Sequence, residues 1–215
     1  MTEAERHLRA DATRNRERLL EVAATVFGEL GLEATVGEVA QRAGVGRGTL
    51  FRNFPTKQDL IAAIVGKRIE EAVARGQGLL ADGDPAESAF VYVGELAGRH
   101  QLDRALFEAV ADEFLAREEI RAAFSGMVSV LDRLLDAGKR AGTVRPDVGA
   151  LDVMMMVKGV CAAAAALGTP DSSTIDRHVD LICAAIGTPA HARPLRGCVP
   201  KLPGAGRSRA SAVRP

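Results

Sequence analysis

Two short helical patterns meet at a glycine in residues 35–60, which have the sequence TVGEVAQRAGVGRGTLFRNFPTKQDL. Thr35 and Glu38 have the spacing of a capping box, in which a hydroxyl and a carboxylate each accept a backbone N–H at the start of a helix. Gly44 can adopt the left-handed conformation that ends this helix at no steric cost. A second short helix begins at Arg47. The segment therefore predicts two short helices joined by a tight turn.

The second helix has one apolar side and one polar side. Leu50 and Phe54 are four residues apart, so they face the first helix together. The residues predicted to face outward are Gly48, Thr49, Arg52 and Asn53. Residues 40–58 contain only basic residues among their charged side chains, so this exposed side can approach phosphates. Two helices, a glycine turn and an outward polar face are the geometry of a helix-turn-helix.

Apolar residues recur at helical spacing along nearly the whole chain, which predicts an all-α fold. A helix with one apolar stripe ends at Leu30, before Gly31, and a second capping box at Thr56 opens a long helix that fades near 76–83. Further helices are expected at about 86–98, 102–115, 117–140, 148–167 and 173–186, with one break at Arg99-His100.

The chain has 215 residues, of which 47% are apolar and 26% charged, enough to bury a core in one domain or two small ones. The predicted division is a three-helix helix-turn-helix domain at 12–55, a connecting helix at 56–80, a second, C-terminal helical bundle at 84–187, and a tail at 188–215. The tail is rich in proline and basic residues, contains no acid and has no apolar periodicity, so it is predicted to be disordered.

Other kinds of chemistry have little support in the sequence. Three scattered cysteines without a CxxC pair predict neither a disulfide framework nor a zinc site, and a reducing cytoplasm is the simplest compartment. The N-terminus lacks the apolar core of a secretory signal. The longest apolar run, 153–167, contains Lys158 and is shorter than the roughly 20 residues of a membrane span. We expect a cytoplasmic protein without membrane association, metal or cofactor.

A nucleotide-binding enzyme is a weaker alternative. The glycines of 44–48 lack a preceding strand and the Lys-Ser/Thr of a P-loop, and the four histidines lie apart with no GxSxG motif. The sequence thus predicts a protein that is not an enzyme. A helical interaction protein of the same fold, without operator binding, stays open as a second alternative.

Residues 36–60 closely resemble the DNA-binding segment of the TetR (tetracycline-repressor) family, and the resemblance extends over about 12–75. The matching features are the Ala-Gly-Val turn at 43–45, Gly48-Thr49-Leu50, the aromatic Phe51, Phe54 and Lys57. Many members have Tyr where this chain has Phe51, and His or Tyr where it has Asn53. The resemblance implies a homodimeric, all-helical transcription regulator whose second domain usually binds a small molecule that releases DNA.

The predicted DNA-binding residues are Thr35, Arg47, Gly48, Thr49, Phe51, Arg52, Asn53 and Lys57. Among them, Thr35, Thr49 and Lys57 are expected to contact the backbone. Arg47 and Arg52 are expected to read base edges, with guanine as the natural partner. The aromatic ring of Phe51 is left with apolar contacts to sugar or a thymine methyl, and Asn53 can pair with adenine or a phosphate.

The second domain is expected to pair two copies of the chain. The helix at about 148–167 is apolar on almost every side and has an alanine run that allows close approach. A stripe on the helix at 173–186 consists of Ile175, Val179, Ile182 and Ile186. These two helices are predicted to form a four-helix homodimer interface that fixes the two heads about 34 Å apart. A buried central helix in a monomer is the alternative.

Adaptable and aromatic side chains in the second domain suit an apolar ligand. The predicted ligand-binding residues are Tyr92, Phe107, Phe124, Met127, Met154 and Met155. Together these expectations describe a one-component regulator. We expect a repressor that binds a pseudo-palindromic operator in double-stranded DNA and leaves it when a small apolar effector binds.

Overall fold

A computed structural model describes residues 3–102, 117–166, 172–191 and 194–196, and helices dominate these residues. The helices are α1 (Glu3–Leu30), α2 (Val36–Ala43), α3 (Arg47–Asn53), α4 (Lys57–Asp82), α5 (Ser88–Leu102), α6 (Glu118–Arg140), α7 (Ala150–Ala166) and α8 (Ser172–Ile186). The all-α prediction is confirmed. Most of the helix predicted at 102–115 lies outside the described residues. No helix in the described ranges is both long and apolar enough to cross a membrane.

Helices α1 to α3 form a small head around a shared apolar core. Its buried side chains include Leu19, Phe27, Val39, Leu50 and Phe54, each at most 2% exposed. The predicted capping box at the start of α2 is present, with both of its hydrogen bonds. Gly44 ends α2 at φ 67°, and Gly31 follows α1 at φ 77°. The turn chemistry of the sequence thus places α2 and α3 as predicted.

Helix α4 leaves the head and continues without a break to Asp82. Its end lies within the predicted range 76–83, at the Gly83 cap, but the helix stays regular through Gly76 and Gly78. Gly76 lies where a Cβ would collide with Val130 of α6 and come within 3.0 Å of the Tyr92 ring of α5. This close packing offsets the low helix propensity of glycine, a tertiary effect that local sequence does not reveal. At 26 residues, α4 is about 39 Å long.

The remaining helices form a second bundle, which α4 joins by packing mainly against α6. Leu131, Leu134 and Leu135 of α6 are fully buried in it. The end of α8 is fastened to the loop between α6 and α7, because the Arg145 N–H donates to the Ile186 carbonyl over 2.9 Å. Helix α5 runs through Arg99-His100 to Leu102, so the break predicted there is wrong.

The start of the predicted tail is ordered, contrary to expectation. Residues 189–191 form a 3₁₀ turn, and the His191 ring stacks on Phe90 with 4.8 Å between ring centroids. Arg196 binds Asp180 of α8 through its guanidinium, 2.8 Å from Nη2 to Oδ1, and through its backbone N–H. Specific polar and aromatic contacts therefore order a stretch that lacks apolar periodicity. Residues 192–193 and 197–215 lie outside the described ranges.

Candidate nucleic-acid interface

Helix α3 is held in the head by one side and exposes the other. Leu50 is 0% exposed in the core, whereas its neighbour Phe51 is 45% exposed. Arg47, Gly48 and Arg52 are exposed as well. Helix α3 contains no acid, and it exposes two cationic side chains, Arg47 and Arg52, together with the aromatic ring of Phe51. This surface can bind a polyanion.

Two of the predicted reading side chains lie along their own helix. The Arg52 Nε donates to the Gly48 carbonyl over 3.2 Å, and its Nη2 lies 3.4 Å from the Thr49 hydroxyl. The Asn53 side-chain amide donates to the Thr49 carbonyl over 2.8 Å. These are weak, local bonds on a surface helix, so both side chains can leave them for a DNA partner at small cost.

Arg47 takes a different direction, toward α2. Its guanidinium lies against Gly37, in the first turn of that helix. The nearby cation Arg42 is paired with Glu29, with 2.8 Å between Nη2 and Oε2. Arg47 and Arg52 form no ion pair with any residue that the structure describes, so their charges are available to a ligand.

The side chain of Thr35 caps the start of α2. Its hydroxyl accepts the Glu38 N–H over 3.2 Å and donates to the Glu38 carboxylate over 2.8 Å. The backbone N–H and the hydroxyl of Thr35 hold the pKa of Glu38 below its usual value. Thr35 thus fixes the start of α2, and the backbone contact predicted for its side chain stays a prediction.

Lys57 joins the start of α4 to the head instead of pointing freely outward. Its ammonium donates to the Leu32 carbonyl and lies 5.9 Å from the centre of the Phe27 ring. The side chain is half-buried. The partners are 25 and 30 positions away, so no local pattern signals this role. Its predicted contact with the DNA backbone stays untested.

Two further side chains position the interface and were missed by sequence reasoning. The Arg16 guanidinium of α1 lies 4.8 Å from the centre of the Phe54 ring, at the end of α3. Arg117 donates to Asp59, in the first turn of α4, over 2.9 Å. Both contacts join residues far apart in the chain, which is why spacing alone gave no signal for either.

The predicted ligand-binding residues do not share one environment. Tyr92 and Met127 are buried, and the Tyr92 hydroxyl donates to the Ala72 carbonyl over 3.0 Å. Phe124 and Met154 are half-buried against the core, whereas Met155 is 75% exposed. Phe107 lies outside the described residues. Met155 is thus separated from the buried members, and the ligand site stays a prediction.

The outer side of α7 is exposed and largely apolar, although Asp152 and Lys158 are exposed on the same helix. Leu151 is 64% exposed and Met155 75%, and Ala162 and Ala163 follow on the same helix. On α8, by contrast, the predicted interface stripe is buried within its own chain: Ile175, Val179, Ile182 and Ile186 are at most 4% exposed. The assignment of that stripe to the interface is wrong, because its period marks the face packed on α5 and α7. Leu181, 43% exposed, lies on the opposite side of α8.

Groups suited to covalent or metal chemistry are sparse in the described part of the chain. Burial raises the pKa of both the Cys161 and Cys183 thiols to about 11, so both stay protonated at neutral pH. Among the residues described, no group of three or more His, Cys, Asp or Glu side chains is arranged to hold a metal ion. Cys198 lies outside the described residues.

Comparisons with known proteins follow the same division of the chain. Residues 19–64 match the family model described as bacterial regulatory proteins, tetR family, and residues 84–186 match a transcriptional regulator SbtR-like C-terminal domain.

The HTH-type transcriptional repressor KstR of Mycolicibacterium smegmatis is 31% identical over 137 residues, covering 62% of this chain and 66% of the relative. An HTH-type transcriptional regulator of Staphylococcus aureus is 36% identical over 64 residues, covering 29% of this chain and 35% of the relative. The chain therefore matches less than two thirds of the length of these curated relatives. The crystal structure of the TetR transcription regulatory protein from Mycobacterium vanbaalenii is similar with a TM-score of 0.64 and 33% identity, covering 84% of this chain and 99% of that one.

Proposed function

Because the chain belongs to the TetR family of DNA-binding transcriptional regulators, we propose that it is a homodimeric repressor. It acts in the cytoplasm, binds a pseudo-palindromic operator, and is released by a small apolar ligand. The relative KstR is named a repressor, which supports repression over activation.

The observation that carries the proposal is the outer surface of α3. Leu50 anchors the helix, so Phe51 and Arg52 are presented to solvent, and Arg47 lies at its first position. In a helix-turn-helix, the second helix enters the major groove with its N-terminal residues toward the bases, while the first crosses the backbone. Arginine on such a helix binds guanine edges or phosphates.

The exposed side of α7 supports the pairing of two chains. Met155 is a large apolar side chain that is three quarters exposed to water, which is unfavourable. Covering it with a second copy of the chain would stabilise the dimer. A twofold contact places the same face on both partners. We therefore assign the dimer contact to the outer side of α7 and to Leu181 of α8.

Helix α4 is the proposed connection between ligand and DNA. It is fastened to the second bundle by the Tyr92–Ala72 hydrogen bond and by Arg75, whose guanidinium binds both carboxylate oxygens of Glu95 over 2.7–3.0 Å. A ligand that prefers one arrangement of this bundle moves α4 and with it the head.

Footprinting of the purified protein on DNA that flanks its own gene tests the proposal. We expect protection of two half-sites whose centres are about 34 Å apart, or a multiple of that distance. Arg52→Ala should weaken the protection, whereas Arg133→Ala, an exposed arginine of α6, should leave it unchanged. A wild-type protein that binds this DNA no better than unrelated DNA would instead identify an interaction protein of the same fold.

A further inference from the structure

Gly37 and Arg47 pack against each other across the two short helices. Gly37 is the second residue of α2, and Arg47 is the first residue of α3. A Cβ at position 37 would lie 2.6 Å from Nη2 of Arg47, 3.0 Å from its Cζ and 3.1 Å from its Nε. The guanidinium therefore occupies the volume that a side chain at residue 37 would need.

The charge of this guanidinium is not used within the head. Glu38, the acid next to Gly37, binds the N–H and the hydroxyl of Thr35 over 2.6 and 2.8 Å. Arg47 is exposed and forms no ion pair with the residues that the structure describes. A cation held on a surface without a counter-charge is ready for an anion that arrives from outside.

The position of the group indicates which part of DNA it meets. In helix-turn-helix docking, the first helix crosses the phosphate backbone and the second lies in the major groove. Arg47 begins the second helix, but its guanidinium rests on the first turn of the first one. We propose that Gly37 is a positioning residue that directs Arg47 to a DNA phosphate instead of a base edge. This inference rests on the proposed operator binding, and it differs from the base reading that the sequence predicts for Arg47.

Backbone and base contacts have different signatures in binding experiments. A phosphate contact contributes similarly on every sequence and releases counterions, so its removal lowers the salt dependence of the affinity. A base contact contributes mainly on the specific site. The role of Gly37 can be separated from folding as well. Gly37 is half-buried in α2, and its only close neighbour is the end of the Arg47 side chain, so alanine there should stabilise the helix while displacing Arg47.

The experiment compares wild type, Arg47→Ala, Gly37→Ala and the double variant. Affinity is measured on the footprinted duplex and on a scrambled duplex of equal length, over a range of salt concentrations. Arg47→Ala should weaken both by a similar factor, about tenfold, and reduce the salt slope by about 1 for each phosphate that is no longer bound. Gly37→Ala should weaken both by about threefold and raise the Tm by about 2 °C, since the guanidinium can move aside without breaking the fold.

The double variant carries the decisive comparison. In the Arg47→Ala background, Gly37→Ala should no longer change the affinity, because no guanidinium is left to displace. Gly78→Ala, an exposed helix glycine of α4 with open space around it, controls for helix stabilisation alone and should leave DNA binding unchanged.

Three results would overturn the inference. Arg47→Ala could weaken only the footprinted duplex, which would make Arg47 a base reader. Gly37→Ala could weaken binding equally with and without Arg47, which would mean that residue 37 meets DNA itself. Gly37→Ala could also leave the affinity of the wild type intact. If the wild-type protein binds the footprinted and the scrambled duplex with equal affinity, the proposed function itself is refuted. The measurement on the wild type alone identifies that failure.

Discussion

Arg117 donates a hydrogen bond to Asp59 over 2.9 Å, which joins the residue before α6 to the first turn of α4, 58 positions earlier in the chain. Asp59 is also the capping partner of Thr56, so one carboxylate holds both the start of α4 and a residue of the second bundle. The Thr56 hydroxyl, and after it Arg117, hold the pKa of Asp59 below its usual value. The first turn of α4 follows α3 after a short loop. The contact therefore links the second bundle to the part of α4 nearest the DNA-binding helix.

Replacing Arg117 by Ala should weaken DNA binding without unfolding the protein. The side chains of the pair are 37% and 33% exposed, so water screens the pair and its loss should not unfold the protein. The affinity for the footprinted duplex should fall by up to about fivefold, because α4 is no longer held to the second bundle at its first turn, while the Tm changes little. Arg121→Ala is the matched control, because Arg121 pairs with Glu118 of its own helix. Equal affinities of the two variants would contradict the prediction.

Gly76→Ala and Gly78→Ala should change stability in opposite directions, although they lie two residues apart in α4. A Cβ at Gly76 would collide with Val130 and lie 3.0 Å from the Tyr92 ring, an overpacking that costs about 1–3 kcal/mol. Gly78 has open space around it, so Ala there should gain up to about 1 kcal/mol from helix propensity. Urea unfolding measures both. A stabilised Gly76→Ala would show that α4, α5 and α6 pack less closely than described.

Leu50→Ala and Phe51→Ala should separate folding from binding. Leu50 is 0% exposed, so truncation should destabilise the head by about 2–5 kcal/mol. Phe51 is 45% exposed, so its loss should change the free energy of unfolding by less than about 0.5 kcal/mol yet weaken DNA binding. Thermal unfolding and a DNA titration give the two readouts. Phe51→Ala with full DNA affinity would remove Phe51 from the interface.

Met155→Asp should convert the dimer to monomers that stay helical. A twofold contact would bring the two introduced carboxylates to one interface and bury their charge. Sedimentation velocity at micromolar concentration should show a monomer, with circular dichroism unchanged. Val91→Asp, on an exposed apolar residue of α5, is the control and should remain dimeric. If Met155→Asp also sediments as a dimer, the outer side of α7 is not the contact.

Thr35→Ala should destabilise the protein by about 1 kcal/mol through loss of the cap at the start of α2. Thr25→Ala, an exposed threonine within α1, should cost less.

The stability of the protein should depend on pH through Glu38, whose pKa is lowered in the folded state by the N–H and hydroxyl of Thr35. A lowered folded pKa adds stability above the usual value of 4.5 and loses it as pH falls through the folded pKa. Urea midpoints from pH 6 to pH 3 should therefore fall less steeply for Glu38→Gln than for wild type.

The local features of the fold were predictable from sequence because their partners are close in the chain. Thr35 with Glu38, and Thr56 with Asp59, form both capping boxes as predicted. The direction of Arg47 was not predictable, since it depends on an empty space at Gly37 in another helix. Lys57 is similar: the Leu32 carbonyl and the Phe27 ring come near it only through tertiary packing.

Apolar periodicity revealed which residues avoid water, but not which surface covers them. The stripe with Ile182 and Ile186 was assigned to a partner chain and is buried in its own. Met155, assigned to a ligand, is exposed on α7. Burial within a chain and burial between chains remove the same area from water, so one sequence pattern serves both. Only the folded arrangement of the helices tells them apart.

Because α4 is unbroken, its residue count fixes how far the head is rotated about the helix axis relative to the second bundle. Each residue of an α-helix turns the chain by about 100° and advances it by about 1.5 Å. One residue inserted between Ile69 and Ala72, which are both buried, would rotate the head by more than a quarter turn against the bundle. Insertions and deletions in descendants of this gene should therefore accumulate in the loops, and α4 should keep its residue count even as its side chains drift.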